Sequence, residues 1–119
     1  MFIRAALWLL AALPIASWAQ TPTYPTRPVR VVVAVAPGGG IDTAARILVD
    51  NVRQRLGQPF VIDNRGGAAG NVGASLVYHA NPDGHTLLAS SLSPITIAGL
   101  LARGLNFDPA RFEPIRSEE

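Results

Sequence analysis

The sequence predicts an α/β chain built on a largely parallel sheet. Residues 29–36 are an unbroken apolar run dense in valine, the pattern of a strand covered on both faces. The run ends at Pro37-Gly38-Gly39-Gly40, and apolar residues then recur at four-residue spacing, the repeat of a helix. The order of strand, small-residue loop and helix then repeats twice before Arg103, as in consecutive βαβ units.

Taken in order, residues 21–28 carry Pro22, Pro25 and Pro28 and read as an extended lead-in to the first strand. In the helix that follows, Ala44, Leu48, Val52 and Leu56, with Ile41 and Ala45, predict one apolar stripe, and Gly57 predicts its stop. Residues 60–62 predict a second strand, closed by Asp63-Asn64-Arg65. Residues 66–73 form a second loop with four glycines, in which Asn71 is expected to cap a short helix through Ser75, Leu76 and Tyr78. Asn81-Pro82-Asp83-Gly84 predicts a turn and residues 86–89 a third strand. Ser93 as N-cap and Pro94 at the first helical position predict a last helix over 95–101.

Composition removes several functions. The chain has 119 residues, room for one small domain. Apolar residues make up 49% and charged residues 15%, which favours a packed core over disorder. The net charge of +2 comes from scattered arginines, without lysine and without interleaved aromatics, so nucleic acid is not an expected partner. The absence of cysteine excludes disulfides, thiolate metal sites and cysteine nucleophiles. His79 and His85 lie on separate elements without a second ligand at metal-binding spacing, so no metal and no cofactor are expected.

The first residues read as an export signal. Arg4 gives a positive start, residues 5–15 are apolar apart from Pro14, and Ser17-Trp18-Ala19 places small residues where a signal peptidase reads. We expect a signal peptide at 1–19 and a mature chain over 20–119, the alternative being an uncleaved anchor.

In a parallel sheet, ligands sit beyond the carboxyl ends of the strands. The loops at 37–42, 63–71 and 90–94 fall on that edge, and all three are rich in Gly, Ser, Asn and Asp. Each precedes a helix whose first turn presents unpaired N–H groups and a partial positive charge, which suits a carboxylate or phosphate. Asp42 is read either as a first-turn acid or as a polar ligand contact. Arg65 is read either as loop surface or as a guanidinium fork for a carboxylate. The hydroxyls of Ser90, Ser91 and Ser93 are the right size to hold a small acid or to cap a turn. A dinucleotide site is the competing reading, but its glycine spacing fails at Thr43 in the first loop and at Ala68 in the second, and neither loop has the lysine of a P-loop.

These loops also carry a family resemblance. Tyr24-Pro25-Thr26-Arg27-Pro28, Ala36-Pro37-Gly38-Gly39-Gly40-Ile41-Asp42, Gly57-Gln58-Pro59, Asp63-Asn64-Arg65, the loop Gly67 to Gly73, Asn81-Pro82-Asp83-Gly84 and Phe107-Asp108-Pro109 follow in order. Together they resemble the N-terminal part of the periplasmic solute-binding proteins of tripartite tricarboxylate transporters, the Bug or TctC-like family. Ile41, Ala69 and His85 depart from its usual residues. The resemblance implies a partial periplasmic-binding-protein (flytrap) fold, with the first lobe incomplete over 20–119 and the second lobe missing. It also implies a periplasmic, non-enzymatic receptor for a small carboxylate metabolite, serving the membrane subunits of such a transporter. By position it assigns ligand binding to Gly39, Gly40 and Asp42 in the first loop, Gly66, Ala69 and Gly70 in the second, and Ser90 and Ser91 in the third. Loss of the family pattern after Ile115 suggests a truncated product. The alternatives are a nucleotide-binding α/β enzyme fragment and an inert remnant without ligand.

Overall fold

A computed structural model describes residues 23–101 and 104–115, so the expected signal peptide lies outside the described residues. Three strands form one parallel sheet in the order β2-β1-β3: β1 is Val29–Val33, β2 Phe60–Asn64 and β3 Thr86–Ala89. Helix α1 (Gly40–Leu56) connects β1 to β2, α2 (Asn71–Tyr78) connects β2 to β3, and α3 (Ala98–Leu101) follows β3. Valine makes β1 the central strand, because both of its faces can be covered. Val29, Val32 and Val33 are fully buried. On one face Val31 and Val33 pack with Ala45 and Val49 of α1, flanked by Ile41, Ile62 and Leu87. Strand alternation turns Val32 and Ala34 the other way, toward α2, whose Gly73 and Ala74 are buried.

The first strand is shorter than its apolar run. Its ladder pairs stop at Val33 with Asn64 and at Val33 with Ala89, because both neighbours end there. Residues 34–36 leave the ladder and become loop.

Helix α1 ends as expected: Gly57 is left-handed at φ 66° and its N–H donates to the Arg53 carbonyl at 3.0 Å. Its packing stripe is different from the expected one. The buried residues are Asp42, Ala45 and Val49, while Ala44 and Leu56 are exposed and Leu48 is 65% exposed. Ile41 and Ala45 of the expected stripe do face the sheet, and Val49 and the buried Asp42 join them in place of Ala44, Leu48 and Leu56.

Two caps also differ from expectation. Asn71 is the first residue inside α2, with Gly70 in the cap position and no side-chain cap. The Asn71 Oδ1 is buried without a hydrogen-bond partner among the described residues. Ser93 makes no cap either: Ser93–Ile97 is a π-turn leading into α3, with Pro94 in its first turn and Leu92 at the cap position.

Segments far apart in sequence tie the lobe together. The Tyr24 hydroxyl donates to the Gly84 carbonyl at 2.6 Å, Arg27 pairs with Asp83, and the Tyr24 and His85 rings meet edge-on at 5.2 Å. The lead-in is thereby fastened to the turn before β3. At the other end Phe107 and Phe112 pack with Tyr78 of α2, and Asp108 caps a short turn over Pro109–Arg111 by accepting from the Ala110 N–H at 3.0 Å.

Candidate functional site

The chain reverses direction across the sheet at β1: α1 carries it to β2 on one side, and α2 returns it past β1 to β3 on the other. Such a reversal opens a crevice beyond the carboxyl ends of the strands. A cleft of about 620 Å³ lies there. Its floor is Ala34, Val35 and Ala36, the residues that leave β1. One wall is Gly66, Gly67, Ala69 and Gly70, and the other is Ser91 and Ser93. Among the described residues no charged side chain lines it. The available groups are backbone amides, two hydroxyls and the first turn of α2, which begins next to Gly70.

Close approach of backbones shapes the cleft. A Cβ on Gly66 would sit 3.1 Å from the Ala36 nitrogen, so the second loop lies directly against the end of β1. The loop then turns through four successive residues of positive φ: Gly67 at 128°, Ala68 at 47°, Ala69 at 57° and Gly70 at 93°. Left-handed backbone is costly for alanine and free for glycine. Ala69→Gly is therefore expected to raise the unfolding free energy by about 0.5–1 kcal/mol, and urea denaturation of the two proteins checks it.

Asp42 lies behind the first loop, and its side chain is 3% exposed. Oδ2 accepts from the Gly38 N–H at 2.9 Å and from Arg46 Nε at 2.9 Å, and Oδ1 accepts from Asn64 Nδ2 at 2.8 Å. The Arg46 guanidinium, then the Gly38 N–H and the Asn64 amide, hold this carboxyl well below the usual carboxylate range. Asp63 is lowered chiefly by Arg30, and Asp83 chiefly by the His85 backbone N–H. A carboxyl that is more acidic folded than unfolded stabilises the fold while it is ionised. This contribution is complete above the unfolded value near ~4 and is lost as pH falls below it toward the folded value. The urea midpoint should therefore drop between pH 5 and pH 3, and Asp42→Asn should remove part of that drop. An unchanged drop in the variant would contradict this assignment.

Of the residues singled out from sequence, Gly66, Ala69, Gly70 and Ser91 come together in the cleft. Gly39, Gly40, Asp42 and Ser90 do not line it. Gly39 and Gly40 are exposed on the first loop, and the Ser90 hydroxyl donates to the Ser91 carbonyl at 3.0 Å. The Arg65 guanidinium is bound to Asp63 at 2.9 Å and is likewise absent from the lining. The floor, Ala34 to Ala36, was hidden inside a run that reads as strand. Among the described residues no group of three or more His, Cys, Asp or Glu could hold a metal ion, and no helix is long and apolar enough to cross a membrane.

A parallel three-stranded sheet with an amide-lined crevice at its reversal point has the architecture of α/β proteins whose ligands sit beyond the strand ends. The profile of the tripartite tricarboxylate transporter family receptor, TctC, matches residues 44–116, and the chain belongs to that family. It is 41% identical over 91 residues to protein BugT of Bordetella pertussis, a match covering 76% of this chain and 28% of that protein. Among solved structures it is similar to MatC from Rhodopseudomonas palustris with bound malate, at 43% identity and TM-score 0.67, covering 72% of this chain and 29% of that one. It is also similar to R. palustris Rpa4515 with adipate, at 38% identity and TM-score 0.69, covering 73% and 29%. The chain thus carries part of a periplasmic-binding-protein fold and spans about 30% of the length of the relatives it matches.

Proposed function

We propose that this chain forms the solute-facing side of the first lobe in a periplasmic receptor for small carboxylates. The cleft between residues 34–36, 66–70 and 91–93 carries the reading. It offers hydrogen-bond donors without a fixed positive side chain, and α2 brings the partial positive charge of a helix start to its wall. Amides of the second loop and the hydroxyls of Ser91 and Ser93 would hold a carboxylate group, with Gly39, Gly40 and Ser90 on the rim. Solved relatives bind malate in one case and adipate in another, which supports a small carboxylate as the class of solute. In the whole receptor a second lobe would close over the open side, and the closed form would dock on the membrane subunits of a tripartite tricarboxylate transporter. Residues 1–19 would direct export and be cleaved from the exported chain. The role in this reading is capture and delivery, and the described lining supplies alanine, valine, glycine and serine for it.

Calorimetric titration of the chain with malate, adipate and ADP tests this. Heat of binding with a dicarboxylate and none with ADP supports the reading. Binding of ADP alone would replace it with the nucleotide reading.

A further inference from the structure

We propose that Asp42 is a positioning residue: with Asn64 and Arg46 it fastens the first glycine loop to the start of the second, and it does not touch the solute. The proposal rests on the carboxylate-binding reading of the cleft and adds a role to a residue outside its lining. Both Asp42 oxygens are already engaged by protein donors, and almost none of the side chain reaches the surface. The partners come from the first loop, from α1 and from the strand end that leads into the second loop. Gly38 belongs to the first loop. Asn64 is the last residue of β2 and begins the path to Gly66. Asn64 Nδ2 also donates to the carbonyl of Val35 on the cleft floor at 3.3 Å, and Asn64 Oδ1 accepts from Arg46 Nη2 at 3.2 Å. One buried carboxylate and one amide therefore fix floor, first loop and second loop relative to each other.

The physical need is clear from the first loop. Gly38 stands ahead of the helix cap at Gly39 and has no side chain to restrain it. A loop that must be ordered when the solute arrives loses affinity to that ordering, and a loop held in place beforehand does not. The Asp42 bond to the Gly38 N–H supplies that restraint.

The test exploits the chemistry of the pair. In Asp42→Asn an amide NH₂ replaces one acceptor oxygen and meets donors. In Asn64→Asp two carboxylates face each other. The double exchange, Asp42→Asn with Asn64→Asp, lets residue 42 accept from Gly38 and Arg46 and donate to residue 64. Residue 64 still accepts from Arg46, while the bond to Val35 is lost and a carboxylate oxygen faces that carbonyl in its place. We expect each single variant to speed amide exchange at Gly38 at least tenfold and to weaken malate binding by about tenfold, and the double exchange to restore both to within about threefold of the starting chain. Failure of the double exchange to restore malate binding, with Gly38 protection regained, would mean that Asp42 contacts the solute and would overturn the proposal. Unchanged Gly38 exchange in the single variants would overturn it as well. If the unaltered chain binds no carboxylate, the functional reading fails by itself, and the exchange rates at Gly38 still decide whether the clamp exists.

Discussion

Gly73→Ala is expected to destabilise the chain by about 2 kcal/mol, lowering the thermal midpoint by about 10 °C. Helix preference alone points the other way, since alanine is favoured over glycine inside a helix by about 1 kcal/mol. The geometry decides the sign. A Cβ at position 73 would lie 2.8 Å from the Ala34 Cβ, 3.0 Å from the Ala34 Cα and 3.0 Å from the Arg65 carbonyl oxygen. None of these is the end of a flexible side chain. Ala34 is held by the bond from its N–H to the Ala89 carbonyl, and the Arg65 N–H by the Val33 carbonyl, so neither backbone can retreat without loosening the sheet. α2 must move instead, and with it the helix start that opens on the cleft. Gly40→Ala provides the contrast. A Cβ there meets nothing within 4 Å, and that variant should be at least as stable as the original. Thermal unfolding of the two variants side by side checks the pair; a stabilised Gly73→Ala would mean that α2 does not lie as close to β1 as described.

Ser91→Asp is expected to weaken malate binding about 100-fold while leaving the fold intact. Ser91 is exposed on the cleft wall, so the substitution needs no repacking. Its effect is electrostatic. Among the described residues no charged side chain lines the cleft to neutralise a new carboxylate, and two like charges about 5 Å apart repel by about 3 kcal/mol at an effective dielectric constant near 20. Ser91→Asn, of similar size and uncharged, should lose much less. Calorimetric titration of both variants with malate gives the comparison. Equal losses would assign the effect to shape and remove the anion from the reading.

The sheet and its order of elements were legible because their signals are local. The valine run, the helix stop at Gly57 and the turn before β3 each need only neighbouring residues. The face of α1 was not legible in the same way. Leu48 and Val49 are both apolar, and only the distance to β1 turns Val49 inward and leaves Leu48 in solvent. The end of β1 depended on where β2 and β3 stop, so the cleft floor at 34–36 was hidden. The left-handed turn before α2 was hidden for another reason: two of its four residues are alanines, which give no sign of positive φ, and Asn71 therefore looked like a cap. For the candidate site, the second loop and Ser91 were placed by their loop positions. Asp42 stood between two roles in the sequence, and its burial and three donors became visible only when Gly38, Arg46 and Asn64 were brought together.

The most direct test of the central claim is to titrate the ¹⁵N-labelled chain with malate and follow its backbone amides. Shifts confined to residues 34–36, 66–70 and 91–93, saturating together with one affinity and absent with ADP, are the predicted result. No saturable shift with malate or adipate, or shifts that cluster away from these three segments, would contradict it.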